Sequence, residues 1–124
     1  MRTAEDIVRM RHAVREQAIA LGFSLVDQTK LVTAASELAR NILNYGGGGE
    51  MQLARLVDGH RTGLKLVFAD QGPGIPDIEL ALKDGYTTGG GMGLGLGGAK
   101  RLSNEFHIDS KPGAGTRVTI TRWK

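Results

Sequence analysis

Glycine is concentrated in a few segments of this chain, and this distribution constrains the fold more than any other feature of the sequence. The chain has 19 glycines among 124 residues, whereas about 7% is usual. Eight of them lie between Gly85 and Gly98, and four form the run Gly46–Gly49. Glycine weakens the interior of helices and strands and lets the backbone approach other groups closely. These segments are therefore predicted to be loops lined by backbone.

The rest of the composition predicts one small globular domain over residues 1–124. The hydrophobic content of 40% and the charged content of 23% are ordinary. The chain has no cysteine, which excludes a disulfide framework, a zinc-thiolate site and a cysteine nucleophile. It begins with charged residues and has no apolar run long enough to span a membrane. The net charge of +3 is not gathered in a basic block. We therefore expect a cytoplasmic protein with neither a nucleic-acid nor a membrane partner.

Two helices are predicted in the first part of the chain. Apolar residues recur three or four positions apart over residues 5–21, which predicts a helix that ends at Gly22. A second stripe of this kind runs to Tyr45 and predicts a second helix. Its start is indicated by the capping-box-like spacing of Ser24 and Asp27.

Four strands are predicted beyond the second helix, where the apolar period changes to two. Residues 51–57 and 64–70 alternate on either side of a predicted turn at 58–63, which indicates a β-hairpin. A second pair of strands, 106–110 and 116–123, flanks a turn that contains proline and glycine.

The segment between these two hairpins predicts a short helix near residues 78–82, a glycine-rich loop at 85–93 and a helix at about 94–104. The order of elements is thus two helices, a hairpin, two helices and a hairpin. This order favours an α+β fold, a two-layer sandwich in which helices cover one face of a mixed, mostly antiparallel sheet.

The first candidate functional residues are Glu37 and Asn41, in the segment SELARNILNYG. They lie four positions apart, so their side chains share a helix face. A carboxylate that accepts a proton, beside an amide oxygen that binds a hard cation, suits magnesium-dependent phosphate chemistry. The alternative is an ordinary solvated helix face, which accounts for most pairs of this kind.

The second candidate is Asp70, at the end of a strand in the segment DQGPGIP. Its position alternates in phase with Leu64, Leu66 and Phe68, so its side chain is expected to face inward. An inward carboxylate needs a hydrogen-bond donor. That donor is either the backbone of its own turn, in an Asx-type turn, or the exocyclic amino group of a planar base.

The third candidate is the segment GGGMGLGLGGAK at residues 89–100. Consecutive amides at the start of a helix can bind anions, and a glycine run before them can close over phosphates. Lys100, Thr87 and Thr88 would add phosphate contacts, whereas the alternative is a flexible linker. The segment matches neither of two well-known phosphate-binding motifs. The dinucleotide-binding motif GxGxxG needs a strand directly before it, where this sequence predicts a loop, and a Walker A loop needs Ser or Thr where Arg101 stands.

Together, SELARNILNYG, DQGPGIP, GGGMGLGLGGAK and Gly115-Thr116 resemble the N, G1, G2 and final GT boxes of the Bergerat-fold (GHKL) ATPase superfamily, which includes gyrase, Hsp90, histidine kinases and MutL. The boxes occur in the family's order and cover nearly the entire chain. The amino-acid sequences of these boxes are most similar to those of the RsbT-like serine-protein kinases of bacterial stress and sporulation switches, which are close to the RsbW and SpoIIAB anti-sigma kinases. Such proteins often have an additional strand before the first helix, for which Met1–Asp6 leaves almost no room.

The resemblance implies a Bergerat-type sandwich that binds ATP or ADP with Mg²⁺, and it implies a role for each matched residue. Glu37 would be the general base or would orient the nucleophile, and Asn41 would be the Mg²⁺ ligand that bridges the phosphates. Asp70 would recognise the adenine, and Thr116 would support Asp70 and bind a water molecule that bridges to the adenine. The remaining matched positions would contact the nucleotide, and they are Gly72, Gly74, Gly91, Gly93, Gly95, Gly97 and Lys100.

The resemblance also implies a serine-protein kinase and its partners. Its substrates would be a small STAS-domain antagonist (RsbS-like) and a larger STAS-containing scaffold (RsbR-like). On release it would bind and activate a PP2C-type phosphatase (RsbU-like). One alternative is an RsbW-like anti-sigma factor that sequesters a sigma factor and phosphorylates its antagonist. Another is an ATP-binding regulator without transfer activity.

Overall fold

The computed structural model of the protein describes residues 2–45, 47–72, 95–110 and 113–124. The predicted helix near 78–82 and loop at 85–93 therefore lie outside the described residues. The described residues form three helices and four strands, which are α1 (Ala4–Ala20), α2 (Leu25–Tyr45), β1 (Gly49–Asp58), β2 (Arg61–Asp70), α3 (Gly95–Arg101), β3 (Glu105–Ser110) and β4 (Thr116–Trp123).

Side-chain caps define where the first two helices begin. Thr3 and Asp6 form a capping box, in which the Asp6 amide donates to Thr3 Oγ1 (3.2 Å) and the Thr3 amide donates to Asp6 Oδ2 (3.1 Å). Hydrogen bonds from the backbone amides of Arg2 and Thr3 lower the pKa of Asp6. The Asp27 amide donates to Ser24 Oγ (3.1 Å), as the spacing predicted. Gly22, predicted to end the first helix, has a φ of +83°.

The four strands form one antiparallel sheet in the order β1-β2-β4-β3. The predicted turn at 58–63 is too long, because Asp58 already pairs with Arg61 and only Gly59 and His60 separate the strands. Gly59 adopts a φ of +62°, which suits a two-residue hairpin turn. An ion pair of 2.9 Å between the Arg61 and Asp58 side chains closes the hairpin.

One face of the sheet packs against the helices. Leu64, Leu66 and Phe68 of β2 are at most 1% exposed, and α2 packs against β2 as well as against α1 and α3. The other buried apolar residues of the described part come from the three helices, the segment between α1 and α2, and β4: Ile7, Met10, Val14, Ala18, Phe23, Leu31, Val32, Ala34, Ala35, Leu38, Ala39, Ile42, Leu96, Ala99, Val118 and Ile120. The predicted α+β sandwich is confirmed. None of the described helices is both long enough and apolar enough to cross a membrane.

Arg122 ties together three elements at the end of the sheet where β2 begins. Its Nη2 donates to Asp27 Oδ1 near the start of α2, and its Nη1 donates to the Leu102 carbonyl just after α3, each at 2.8 Å. The bond from Arg122 is the main cause of the lowered pKa of Asp27. Helix α3 ends at Arg101 rather than at 104, because the chain leaves the helix where Arg122 binds the Leu102 carbonyl and Ser103 Oγ donates to the Ala99 carbonyl (2.8 Å).

Candidate functional site

A row of polar residues crosses the opposite end of the sheet. Asp70 at the end of β2 pairs with Gly49 of β1 and with Thr116 of β4, and Thr116 pairs with Ser110 of β3. Asp70 is two residues beyond the buried Phe68, so both side chains emerge on the helix-covered face. Asp70 is half-buried, in agreement with its predicted inward orientation.

The Asp70 carboxylate is held by its own turn. The Gly72 amide donates to Asp70 Oδ1 at 2.9 Å, which is the Asx-type turn that the sequence left open as an alternative. This bond uses one oxygen only, and among the described residues no donor binds Asp70 Oδ2. The turn therefore fixes the carboxylate and leaves an acceptor for a ligand.

Ser110 is a polar residue of this row that sequence reasoning missed. Its Oγ lies 2.8 Å from Thr116 Oγ1 and also donates to the Gly115 carbonyl (3.2 Å). Within the described part of the chain, Thr116 is thus bonded to Ser110 and not to the side chain of Asp70. The alternation of β3 places Ser110 on the same face as Phe106 and Ile108, which is the signal that could have identified it.

Gly115 brings the start of β4 against the end of β2. Its φ is +81°, and a Cβ atom at this position would collide with the carbonyl oxygen of Asp70. A larger residue would therefore push the two strand ends apart. A cleft of about 280 Å³ opens here, and Asp70, Ser110 and Thr116 are among the residues that line it.

The last turns of α2 lie over the same end of the sheet. The Gly48 amide donates to the Ile42 carbonyl (3.2 Å), and a Cβ on Gly49 would come within 2.9 Å of Ile42 Cγ2. Since Gly49 pairs with Asp70, Ile42 anchors α2 beside the polar row. Asn41 directly precedes Ile42, and one residue corresponds to about 100° of helix rotation. Asn41 is therefore on the flank of the helix and not on its sheet-facing side.

Glu37 lies on the same flank, one turn before Asn41, and is only 5% exposed. The solvated-face interpretation is therefore wrong for Glu37. Its Oε1 accepts a hydrogen bond of 2.7 Å from Arg40 Nη1. Sequence reasoning missed Arg40, although the spacing of three between a carboxylate and a guanidinium on one helix is a recognisable signal. Asn41 is half-buried.

The described part of the glycine-rich segment is helical. Gly95 opens α3, Gly97 is buried within it, and Leu96 and Ala99 belong to the core. The flexible-linker interpretation is therefore wrong for residues 95–101. Lys100 is exposed in the last turn of α3. Three of the residues matched to the nucleotide site, Gly74, Gly91 and Gly93, lie outside the described residues.

The side chains at this end of the sheet suit a magnesium-bound nucleotide. The described residues contain no group of three or more His, Asp or Glu side chains that could hold a metal ion by themselves. Mg²⁺ in nucleotide sites typically takes one or two protein oxygens and completes its coordination with phosphate and water. The half-buried amide of Asn41, one helical turn from the buried Glu37 carboxylate, matches that donor requirement.

Comparisons with known proteins agree with this arrangement. Residues 26–124 match the family described as histidine kinase-, DNA gyrase B-, and HSP90-like ATPase. The chain is 47% identical over 121 residues to the serine/threonine-protein kinase RsbT of Bacillus subtilis (strain 168), and the match covers 98% of this chain and 91% of that protein. It is 27% identical over 119 residues to an anti-sigma F factor of Thermoanaerobacter sp. (strain X514), covering 91% of this chain and 82% of that protein.

Solved structures with the same architecture include two histidine kinases. The mycobacterial sensor histidine kinase MprB is 25% identical, with a TM-score of 0.57 over 77% of this chain and 71% of that one. The catalytic domain of histidine kinase ThkA is 15% identical, with a TM-score of 0.56 over 96% of this chain and 91% of that one, and it supports the fold alone. The predicted enzyme class, a protein serine/threonine kinase, is confirmed by the match to RsbT. The chain belongs to the histidine kinase-, DNA gyrase B- and HSP90-like ATPase family and, within that family, to the relatives of the serine/threonine-protein kinase RsbT.

Proposed function

We propose that this protein is the serine kinase of a bacterial partner-switching stress response. It uses Mg-ATP to phosphorylate a serine on a STAS-domain antagonist and on a STAS-containing scaffold protein. The observation that carries the proposal is that α2 brings the flank with Glu37 and Asn41 to the same end of the sheet as the polar row of Asp70, Thr116 and Ser110. The 47% identity to RsbT over 98% of the chain supports it.

Asp70 binds the adenine in this proposal. Its Oδ2 accepts a hydrogen bond from the exocyclic amino group, while the Gly72 amide holds Oδ1. Thr116, which pairs with Asp70 and is bonded to Ser110, would bind a water molecule between the sheet and the base. The glycines on either side of this carboxylate, Gly72 and Gly115, let the backbone come close to a flat ligand.

The phosphates lie toward α2 and the start of α3. Asn41 would supply a protein oxygen to Mg²⁺, which, when bound, would neutralise charge on the transferred phosphoryl group. The backbone at Gly91, Gly93, Gly95 and Gly97 would contact the phosphates, as would the exposed ammonium group of Lys100, whereas Gly74 belongs with Gly72 near the base. Phosphoryl transfer depends mainly on positioning and charge stabilisation, and these residue types serve both needs.

Glu37 acts as the general base. The serine hydroxyl gives its proton to the Glu37 carboxylate while its oxygen bonds to the γ-phosphorus, the bond to the bridging oxygen breaks, and ADP leaves. Burial of the carboxylate at 5% exposure excludes most competing water from the position that accepts the proton.

The same protein acts as a switch. When it is released from its STAS partners it binds and activates a PP2C-type phosphatase. The 27% identity to an anti-sigma F factor favours one second candidate, an anti-sigma factor that sequesters a sigma factor and phosphorylates its antagonist. The higher identity and greater coverage of RsbT favour the first. Retention of a sigma factor by the purified protein would favour the anti-sigma function over the serine kinase function.

The test is transfer of phosphate to a purified STAS-domain protein. Calorimetric titration with ADP, with and without Mg²⁺, comes first and should show magnesium-dependent binding. Intact mass of the STAS protein after incubation with Mg-ATP should then show one added phosphoryl group. Glu37→Gln should abolish the added mass, whereas Lys30→Gln, an exposed position on the same helix, should not. An unmodified STAS protein in the presence of bound nucleotide would contradict the kinase proposal.

A further inference from the structure

We propose that Arg40 is a positioning residue for phosphoryl transfer, which holds one oxygen of the Glu37 carboxylate and presents the other to the serine hydroxyl. The proposal rests on the function proposed above and extends it to a residue that the nucleotide-binding boxes do not assign. It is based on the ion pair between the two side chains within α2.

The geometry of this pair is that of a strong hydrogen bond. Arg40 Nη1 lies 2.7 Å from Glu37 Oε1, a distance typical of charge-assisted bonds. Glu37 is 5% exposed, and a buried carboxylate without a donor is strongly unfavourable. Among the described residues, no other group hydrogen-bonds this carboxylate. Arg40 therefore both compensates the charge of Glu37 and restricts the rotation of its carboxylate.

The pair also has the asymmetry that a positioned base needs. One carboxylate oxygen is bonded to Arg40, and Oε2, which no donor of the described residues binds, is the acceptor for an incoming hydroxyl. The Arg40 side chain is 37% exposed while that of Glu37 is 6% exposed, so the guanidinium lies at the boundary between the helix flank and solvent. Because both residues belong to α2, the pair forms before either substrate binds, which makes the base preorganised.

A purely structural role would affect other quantities. An ion pair three residues apart joins positions within one helix and no separate elements, so it contributes little to holding the layers together. Arg122, in contrast, joins α2, β4 and the end of α3. Loss of Arg40 leaves the buried Glu37 carboxylate without its donor and should lower the free energy of unfolding, but a purely structural role would leave the kcat of the folded variant unchanged.

The experiment measures kcat and the KM for ATP with the full chain and a purified STAS-domain substrate. Arg40→Met should lower kcat on the order of 10- to 100-fold, because the base loses its orientation, while the KM for ATP and the affinity for ADP stay within about twofold. Arg40→Lys should recover part of the loss, since an ammonium can still bond the carboxylate. Lys30→Met, on the exposed side of α2, should match the wild type.

The double variant separates this inference from the function on which it depends. If Arg40 acts through Glu37, then Glu37→Gln with Arg40→Met should be no slower than Glu37→Gln alone. Additive losses, or a raised KM with an unchanged kcat in Arg40→Met, would overturn the positioning role. Full activity in Glu37→Gln would instead overturn the general-base assignment of the proposed function. If Arg40→Met does not fold, a folded Arg40→Lys variant with wild-type kcat would count against the proposal, and one with reduced kcat at unchanged KM would support it.

Discussion

Replacement of Gly115 by alanine tests whether the contact between two strand ends builds the candidate nucleotide site. Gly115 has a φ of +81°, and an added Cβ would meet the carbonyl oxygen of Asp70. Gly113, two residues earlier, has a similar φ of +77° but open space around an added Cβ. Gly113→Ala is therefore a matched control, with the same backbone strain and without the collision.

The expected magnitudes follow from these two environments. A left-handed conformation costs a residue with a Cβ about 1–2 kcal/mol relative to glycine, and this is the whole expected effect of Gly113→Ala. Gly115→Ala adds the displacement of a backbone carbonyl, and forced displacement of packed groups costs about 1–3 kcal/mol. The total loss for Gly115→Ala is thus about 2–5 kcal/mol. Because the displaced carbonyl belongs to Asp70, ADP affinity should fall in this variant and remain close to wild type in Gly113→Ala.

Urea unfolding followed by circular dichroism gives the two free energies of unfolding, and calorimetric titration with ADP and Mg²⁺ gives the two affinities. Equal destabilisation by the two substitutions would show that the strand ends separate without cost. Unchanged ADP affinity in a folded Gly115→Ala protein would refute the link between this contact and the site.

Three further substitutions test the adenine contact, the clamp at the other end of the sheet, and the core. Asp70→Asn should weaken ADP binding with little change in the urea midpoint, and equal affinities by calorimetry would contradict the adenine role. Asp27→Asn should lower the free energy of unfolding by about 1–2 kcal/mol at neutral pH, by loss of a charge-assisted bond. Arg122 lowers the pKa of Asp27 below 3.8, so this stabilisation is complete above that pH and is lost as pH falls through the folded-state pKa. The difference in free energy of unfolding between wild type and Asp27→Asn should therefore vanish in acid. A difference that does not change with pH would contradict a stabilising ion pair between Asp27 and Arg122. Leu66→Ala, at a fully buried position, should lower the free energy of unfolding by about 2–5 kcal/mol, whereas Val57→Ala, at 79% exposure, should change it by no more than about 0.5 kcal/mol. Similar urea midpoints for the two variants would contradict the assignment of Leu66 to the core.

The parts of the fold that local patterns encode could be predicted from the sequence. The spacing of Ser24 and Asp27 marked the start of α2, and the alternation of β2 placed Asp70 on the inward face. Helical spacing put Glu37 and Asn41 on one flank. Each of these relations spans at most six residues, so the repeat of a helix or a strand determines it regardless of the rest of the chain.

Relations between distant segments were decided by the tertiary structure. Arg122 meets Asp27 across 95 positions of sequence, and β2 pairs with β4 instead of β3, which brings Thr116 opposite Asp70 and Ser110 beside it. The burial of Glu37 likewise depends on what packs around α2 and not on its helical period. The sequence alone identified the candidate site residues and predicted which way their elements face. Only the packing of the layers and the register of the strands decided which of these side chains meet, because those contacts depend on the whole chain at once.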